Sequence, residues 1–193
     1  ILLIINNKNY GAGISRNIGI KKSRGKFVAF LDADDYWHKN KLEIQLKFMK
    51  KNKCIISHTD YSIIDEQKKI KSYRKAKILD YKTMLKSCDI GLSTVMIKKE
   101  VLKDKLLFPK LKTKEDFVLW LKITKKYNCD VLSINHNLTN WRKTSKSLSD
   151  STTQKILDAF KVYHYYCNFN IFKSIYYVII LSTNYIAKAL WKY

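Results

Sequence analysis

An α/β fold is what the sequence predicts, on three observations. Short apolar runs that read as buried strands recur along the chain, amphipathic stretches at helical spacing fall between them, and the run Lys26–Leu31 ends in three carboxylates, Asp32, Asp34 and Asp35. In open α/β sheets ligands gather beyond the carboxyl ends of strands, so these acids stand where a site would be. Crowded like charges repel, and a divalent cation held by oxygen ligands is the usual relief. A second reading makes Asp34 or Asp35 the N-cap of a helix near Lys39, although a cap needs only one Asp.

The totals set the bounds. A chain of 193 residues, 46% of them hydrophobic, corresponds to about one domain with a sizeable core rather than a disordered segment. Lys and Arg outnumber Asp and Glu by 38 to 16, giving a net charge of +22. Such a balance points to anionic partners: nucleotide phosphates, a membrane surface or nucleic acid. Compositional drift toward Lys, Ile, Asn and Tyr is the other explanation. Cys54, Cys88, Cys129 and Cys167 show no CxxC spacing, so neither a zinc cluster nor a disulfide framework is indicated, and a reducing, cytoplasmic setting fits. The chain opens on Ile1 with no secretory signal, and the expectation is that sequence upstream is missing.

In chain order, Ile1–Ile5 reads as a strand that breaks at the loop-forming cluster Asn6–Asn9. Four of the five glycines lie between residues 11 and 25. They form neither a dinucleotide fingerprint nor a P-loop. A helix starting near Ala12 would aim backbone N–H groups and Arg16 at an anion; otherwise this is a glycine-rich turn with Arg16 on a solvated face. After the aspartate-tipped strand, Lys39–Asn52 places Leu42, Leu46 and Met49 on one helical face. Cys54–Ile64 and Ile70–Tyr73 read as a strand and its return across a turn at residues 65–68. His58 and Asp60 are assigned no chemistry. A short helix is expected over residues 80–90, a strand over Gly91–Ile97 and a brief helix over Lys98–Lys103.

Further on, Phe117, Trp120, Leu121 and Tyr127 share a helical face, which puts Glu115 and Asp116 at the start of that helix. Thr113 and Asp116 fit a capping box, and acids in a first turn suit the helix dipole, so a capping role competes with a chemical one. Cys129–Ile134 reads as a strand and Asn140–Ser147 as a basic, hydroxyl-rich loop. From Phe160 onward the chain carries 11 of its 25 aromatic residues, four lysines and no acid. Its uncharged run, Ser174–Ala187, is shorter than the roughly 20 residues a spanning helix needs. A helix in the headgroup region, with Lys173, Lys188 and Lys192 on phosphates, and packing against the domain or a second subunit are both compatible with this pattern.

The motifs Asn9-Tyr10-Gly11-Ala12-Gly13-Ile14-Ser15-Arg16-Asn17-Ile18-Gly19, Phe30-Leu31-Asp32-Ala33-Asp34-Asp35, Ser93-Thr94-Val95-Met96-Ile97 and Glu115-Asp116, with the Arg142 loop, follow one another in an order that resembles glycosyltransferase family 2. The resemblance covers about residues 1–150. It implies a GT-A-like mixed sheet flanked by helices, lacking its N-terminal nucleotide-binding strands, followed by a helical basic and aromatic tail over residues 151–193.

The resemblance also implies a hexosyltransferase-type reaction, with inversion. A sugar would pass from a nucleotide diphosphate sugar to an acceptor hydroxyl on a glycan or lipid-linked acceptor, in bacterial surface polysaccharide or lipopolysaccharide synthesis. By the same resemblance Asp34, with Asp32, would hold Mg2+ or Mn2+. Asn9, Arg16, Asp32 and Arg142 would bind the donor, Asp116 would act as general base and Glu115 would shape the acceptor side. A peripheral position at the inner face of the plasma membrane, against an anionic surface, is expected. The alternative is a non-catalytic truncated remnant or a polyanion- or membrane-binding module. Nucleic acid is not an expected partner, because the aromatics gather in the tail instead of alternating with lysines on a sheet face.

Overall fold

The strand Ile56–Ile64 (β3) is the one around which the sheet is assembled. All of its residues are buried except the half-buried Asp60 and Tyr61, as for a strand covered on both faces. The computed structural model describes residues 1–103, 106–144 and 151–190. Within them, β5 (Met96–Lys98) pairs antiparallel with the start of β3, and β4 (Ile70–Arg74) pairs antiparallel with its end. Along the opposite edge β6 (Leu132–Arg142) runs parallel to β3 from Ser57 to Ile64. β1 (Phe27–Ala29) lies outside β5 and β2 (Tyr36–Trp37) outside β6, both antiparallel. The result is a mixed sheet of order β1-β5-β3-β6-β2, with β4 on β3.

The helices α1 (Ala12–Lys22), α2 (Lys41–Lys51), α3 (Tyr81–Met84), α4 (Glu115–Tyr127), α5 (Thr152–Lys161) and α6 (Ile171–Leu190) flank this sheet. One core joins the body to the tail: Phe30, Ile97, Phe117 and Trp120 belong to the same buried cluster as Ala159, Val162, Tyr163, Cys167 and Leu181. The buried Tyr163 hydroxyl donates to the Leu85 carbonyl at 2.7 Å, so the tail is fastened by a satisfied polar contact as well as by apolar area. His58 and Asp60 are structural: His58 Nε2 lies 2.8 Å from the Lys77 carbonyl, and Asp60 accepts the Ala76 N–H at 2.6 Å.

Several expectations are corrected. Ile1–Ile5 forms no strand and is exposed, because none of the described residues pairs with it and a strand exists only through its ladder. α2 buries Lys41, Gln45 and Met49, leaving Leu42 exposed. That rotation has a polar cause. Gln45 Nε2 donates to the Ser57 and Thr94 carbonyls at 3.2 and 3.0 Å, while the Lys41 ammonium bonds Gln45 at 2.6 Å and sits 4.5 Å from the Trp37 ring centre. Neither Asp34 nor Asp35 caps α2, whose N-cap is Asn40.

The short helix expected over residues 80–90 is confined to α3. Residues Leu92–Thr94, expected as strand, make a 3₁₀ turn. β6 extends through Asn140–Arg142, expected as loop, because the parallel ladder continues to Ile64↔Arg142. Residues 145–147 of that expected loop, and Lys192, lie outside the described residues. The Thr113–Asp116 capping box is absent: Asp158 takes the Thr113 N–H and hydroxyl, both at 3.0 Å, and Lys114 occupies the N-cap with φ 63°. Tyr127 is exposed rather than on the buried face of α4.

Candidate functional site

Three segments meet at Arg16. Gly11, with φ +83°, turns the chain into α1, a backbone region where glycine is at ease. Gly13 then lets α1 press against the loop before α4: a Cβ there would lie 3.0 Å from the Pro109 carbonyl oxygen and 3.1 Å from Glu115 Cγ. Asn17 secures the approach by exchanging two hydrogen bonds with the Phe108 backbone, at 2.8 and 3.0 Å. Phe30, Phe108 and Trp120 form an aromatic cluster beneath, with centroids 5.3–6.2 Å apart. The Arg16 guanidinium sits 5.6 Å over the Phe108 ring.

From there Arg16 forks. Nη2 bonds Asp32 Oδ1 at 2.7 Å and Nη1 bonds Glu115 Oε1 at 2.5 Å. Burial works against its charge, but the two carboxylates prevail and hold the guanidinium above its ordinary pKa. The aspartate-rich end of β1 and the acidic start of α4 therefore share one site. Asp116, beside Glu115, is half-buried, and its Oδ1 accepts the Phe117 N–H at 2.7 Å. Burial, then repulsion from Glu115, pushes its carboxyl up to about 6, outweighing that bond and the attraction of Arg16 and Lys114.

The three aspartates diverge. Asp32 turns to Arg16, whereas Asp35 turns inward, accepting the Ser93 hydroxyl at 2.5 Å and the Arg142 N–H at 2.9 Å. Ser93 Oγ in turn accepts the Asp32 N–H at 3.1 Å, and the Trp37 indole donates to the Ser93 carbonyl at 2.7 Å. Burial raises the Asp35 carboxyl to about 6 against these hydrogen bonds. Asp34 stays exposed, with no hydrogen bond or ion pair among the described residues. No three His, Cys, Asp or Glu side chains converge on a metal-sized point among the described residues. Mg2+ commonly takes only one or two carboxylates and completes its shell with substrate phosphates and water, and the exposed Asp34 has the chemistry of one such ligand.

Arg142 is tied to the aspartate segment by its backbone bond to Asp35. Its guanidinium lies 5.6 Å over the Tyr36 ring, and its Nε is buried without a hydrogen-bond partner among the described residues. Asn9 is not joined to this cluster: its side chain accepts the Gly11 N–H at 2.9 Å and shapes the turn into α1. Ser93 and Asn17 lie in the motifs without an assigned role, and Asp35 is read from sequence only as one of the crowded acids or as a helix cap. Asp35 and Ser93 meet 58 residues apart in sequence, a pairing no local pattern announces.

Comparison with known proteins fits this arrangement. The model of glycosyl transferase family 2 matches residues 1–106. An uncharacterized glycosyltransferase of Haemophilus influenzae is 32% identical over 95% of this chain and 73% of its own length. A second relative, the Escherichia coli UDP-Glc:alpha-D-GlcNAc-diphosphoundecaprenol beta-1,3-glucosyltransferase WfgD, is 33% identical over 81% of this chain and 61% of its own length. Among solved structures, S. aureus TarS 1-349 in complex with UDP-GlcNAc superposes with a TM-score of 0.63 at 16% identity, covering 90% of this chain and 52% of that one. The chain thus spans roughly half to three quarters of these relatives, and the TarS likeness establishes a GT-A-like fold. With the family model matched over more than half its length and its acidic motifs gathered at one site, the chain belongs to glycosyltransferase family 2.

Proposed function

We propose that this site transfers a sugar, with inversion, from a nucleotide diphosphate sugar to an acceptor hydroxyl in bacterial surface polysaccharide synthesis. The observation that carries the reading is the Asp32–Arg16–Glu115 fork, which sets the donor-side and acceptor-side acids around one cation. Asp116 is the general base. Held near pH 6, its carboxyl ionises close to neutrality and takes the acceptor proton as the oxygen attacks the anomeric carbon. Glu115 orients Arg16 on the acceptor side. Asp34 and Asp32 would hold a divalent cation, Mg2+ or Mn2+, which when bound offsets charge on the leaving diphosphate. Arg142 would add a second cation for the same phosphates.

The acceptor is proposed to be lipid-linked, as the name of the WfgD relative indicates for that enzyme. No helix among the described residues is long and apolar enough to cross a membrane. The test is titration of the 193-residue protein with nucleotide diphosphates and nucleotide diphosphate sugars, with and without Mn2+, beside an assay of transfer and of slow donor hydrolysis. Metal-dependent binding that Asp34→Ala abolishes is expected. Undiminished binding and turnover in EDTA by Asp34→Ala would remove the metal role, and failure to bind any nucleotide would overturn the reading.

A further inference from the structure

Residues 86–89 lie between the start of α4 and the end of α6. They continue α3, which packs on α4; the Lys125 ammonium sits 5.8 Å from the Tyr81 ring centre, so α3 begins beside the last turns of α4. Further along the chain Cys88 interacts electrostatically with Lys114 and Asp116, at the opposite end of α4. From the other side α6 reaches the same loop. Asn184 Nδ2 donates to the Lys86 carbonyl at 2.9 Å, and the Lys188 ammonium bonds both Ser87 Oγ and Asp89 Oδ1. Ser87 in turn donates to Asp89 Oδ2 at 2.9 Å, which closes a network of three side chains.

These contacts do little to fasten the tail. Tyr177, Val178 and Leu181 on the core, with the Tyr163 bond to the Leu85 carbonyl, already do that. The Lys188–Asp89 pair, its side chains 42% and 36% exposed, is of the kind that adds little to global stability. What the network fixes is local. The Lys86 and Ser87 amides donate to the Thr83 and Met84 carbonyls, both at 3.1 Å, and α6 adds the side-chain hold. Beyond Asp89 the chain enters the Gly91–Thr94 turn, whose Ser93 joins Asp32 to Asp35. That end is secured independently, by the Trp37 indole on the Ser93 carbonyl and by Gln45 on the Thr94 carbonyl. A displaced loop is therefore felt on the Asp116 side of the site and not on the Asp32 side.

We propose that the C-terminal end of α6 positions the Asp116 side of the site: Asn184 and Lys188 hold residues 86–89 against the first turn of α4, where the loop keeps water from the Asp116 carboxylate. Both are positioning residues, since they act through the loop. The charged groups that act most on Asp116 are Glu115, Arg16 and Lys114, none of them from α6, so releasing the loop changes its hydration and leaves those neighbours in place. That the loop walls the space where an acceptor hydroxyl meets Asp116 rests on the proposed transferase reading; the clamp itself does not.

Hydrogen exchange, carbon-13 NMR and UDP titration of the full chain test the inference, in Asn184→Ala/Lys188→Ala and in Lys188→Arg. In the double alanine variant, exchange of the peptide carrying residues 86–89 should quicken by about tenfold or more while β3 exchanges at the parent's rate. The Asp116 carboxyl should titrate at lower pH than in the parent as water reaches it, and affinity for UDP should not change. Lys188→Arg keeps the charge and should match the parent in all three. Unchanged exchange at residues 86–89, an unchanged Asp116 titration beside faster exchange, weakened UDP affinity, or faster exchange that spreads to β3 would each overturn the proposal. A parent that binds no nucleotide diphosphate would instead overturn the transferase reading, with exchange and the Asp116 titration still deciding the clamp.

Discussion

The Asp35 carboxylate accepts the Ser93 hydroxyl at 2.5 Å, and through Ser93 it reaches the Asp32 peptide N–H, so a buried acid that faces away from the site sets the backbone that carries the exposed ones. Asp35→Ala leaves the Ser93 hydroxyl and the Arg142 N–H without their acceptor. A loss of about 3 kcal/mol is expected in urea unfolding, with Asp35→Asn costing less because its carbonyl keeps one bond.

Asp116 should trade stability for chemistry. Its folded pKa of about 6 lies above the ordinary 3.8, so the folded state holds this proton more tightly. The stabilisation that follows is complete below about pH 4 and is lost as pH rises through 6. Asp116→Asn, which needs no charge, should therefore melt a few degrees above the parent at pH 7, with the gap closing by pH 4, when both are followed calorimetrically. In the parent, transfer should rise with pH through about 6, and in the Asn variant it should fall by at least about 100-fold.

Removing the Arg16 guanidinium leaves Asp32 and Glu115 facing one another. Arg16→Ala should cost about 1–3 kcal/mol, a figure reduced from the fully buried case because the Asp32 side chain is 35% exposed. Arg16→Lys should restore little of it, since a single ammonium cannot reproduce the planar fork onto two carboxylates. Denaturant midpoints, read beside nucleotide affinity, check both variants.

The glycines of α1 should respond oppositely to alanine. At Gly13 the new methyl meets the Pro109 carbonyl at 3.0 Å, Glu115 Cγ at 3.1 Å and Phe108 Cβ at 3.2 Å. Overpacking of that order costs about 1–3 kcal/mol and would push α1 away from α4. At Gly19 nothing lies within 4 Å, so the alanine should stabilise the helix by about 0.5–1 kcal/mol. Thermal melts of the two single variants give the comparison directly.

Motifs with a backbone reason were legible beforehand. The α/β class, β3 and its return strand, the start of α1 near Ala12 and the acidic start of α4 all follow from local pattern. Polar burial was not legible. Lys41 and Gln45 read as the solvated side of α2, and only the Ser57 and Thr94 groups, brought up by the sheet, make them the inner side. Likewise Asp32 and Asp34 were readable as a pair, but their separate fates depend on Arg16 for one and open solvent for the other. Arg142 could be singled out in advance; that β6 would carry it into the ladder beside Ile64 depended on a partner strand far away in the chain.

That parallel ladder has a kinetic side. Asn137 and Ser62, joined across β3 and β6 by a 2.6 Å hydrogen bond, are 75 residues apart, and no turn can bring parallel strands together locally. The central strand must therefore wait, during synthesis as in refolding from denaturant, until α4 and the chain through Arg142 have emerged. Until then the β6 edge of β3 offers unpaired amides to any neighbouring chain. Slow refolding with a pronounced concentration-dependent loss to aggregates is the behaviour this connectivity demands.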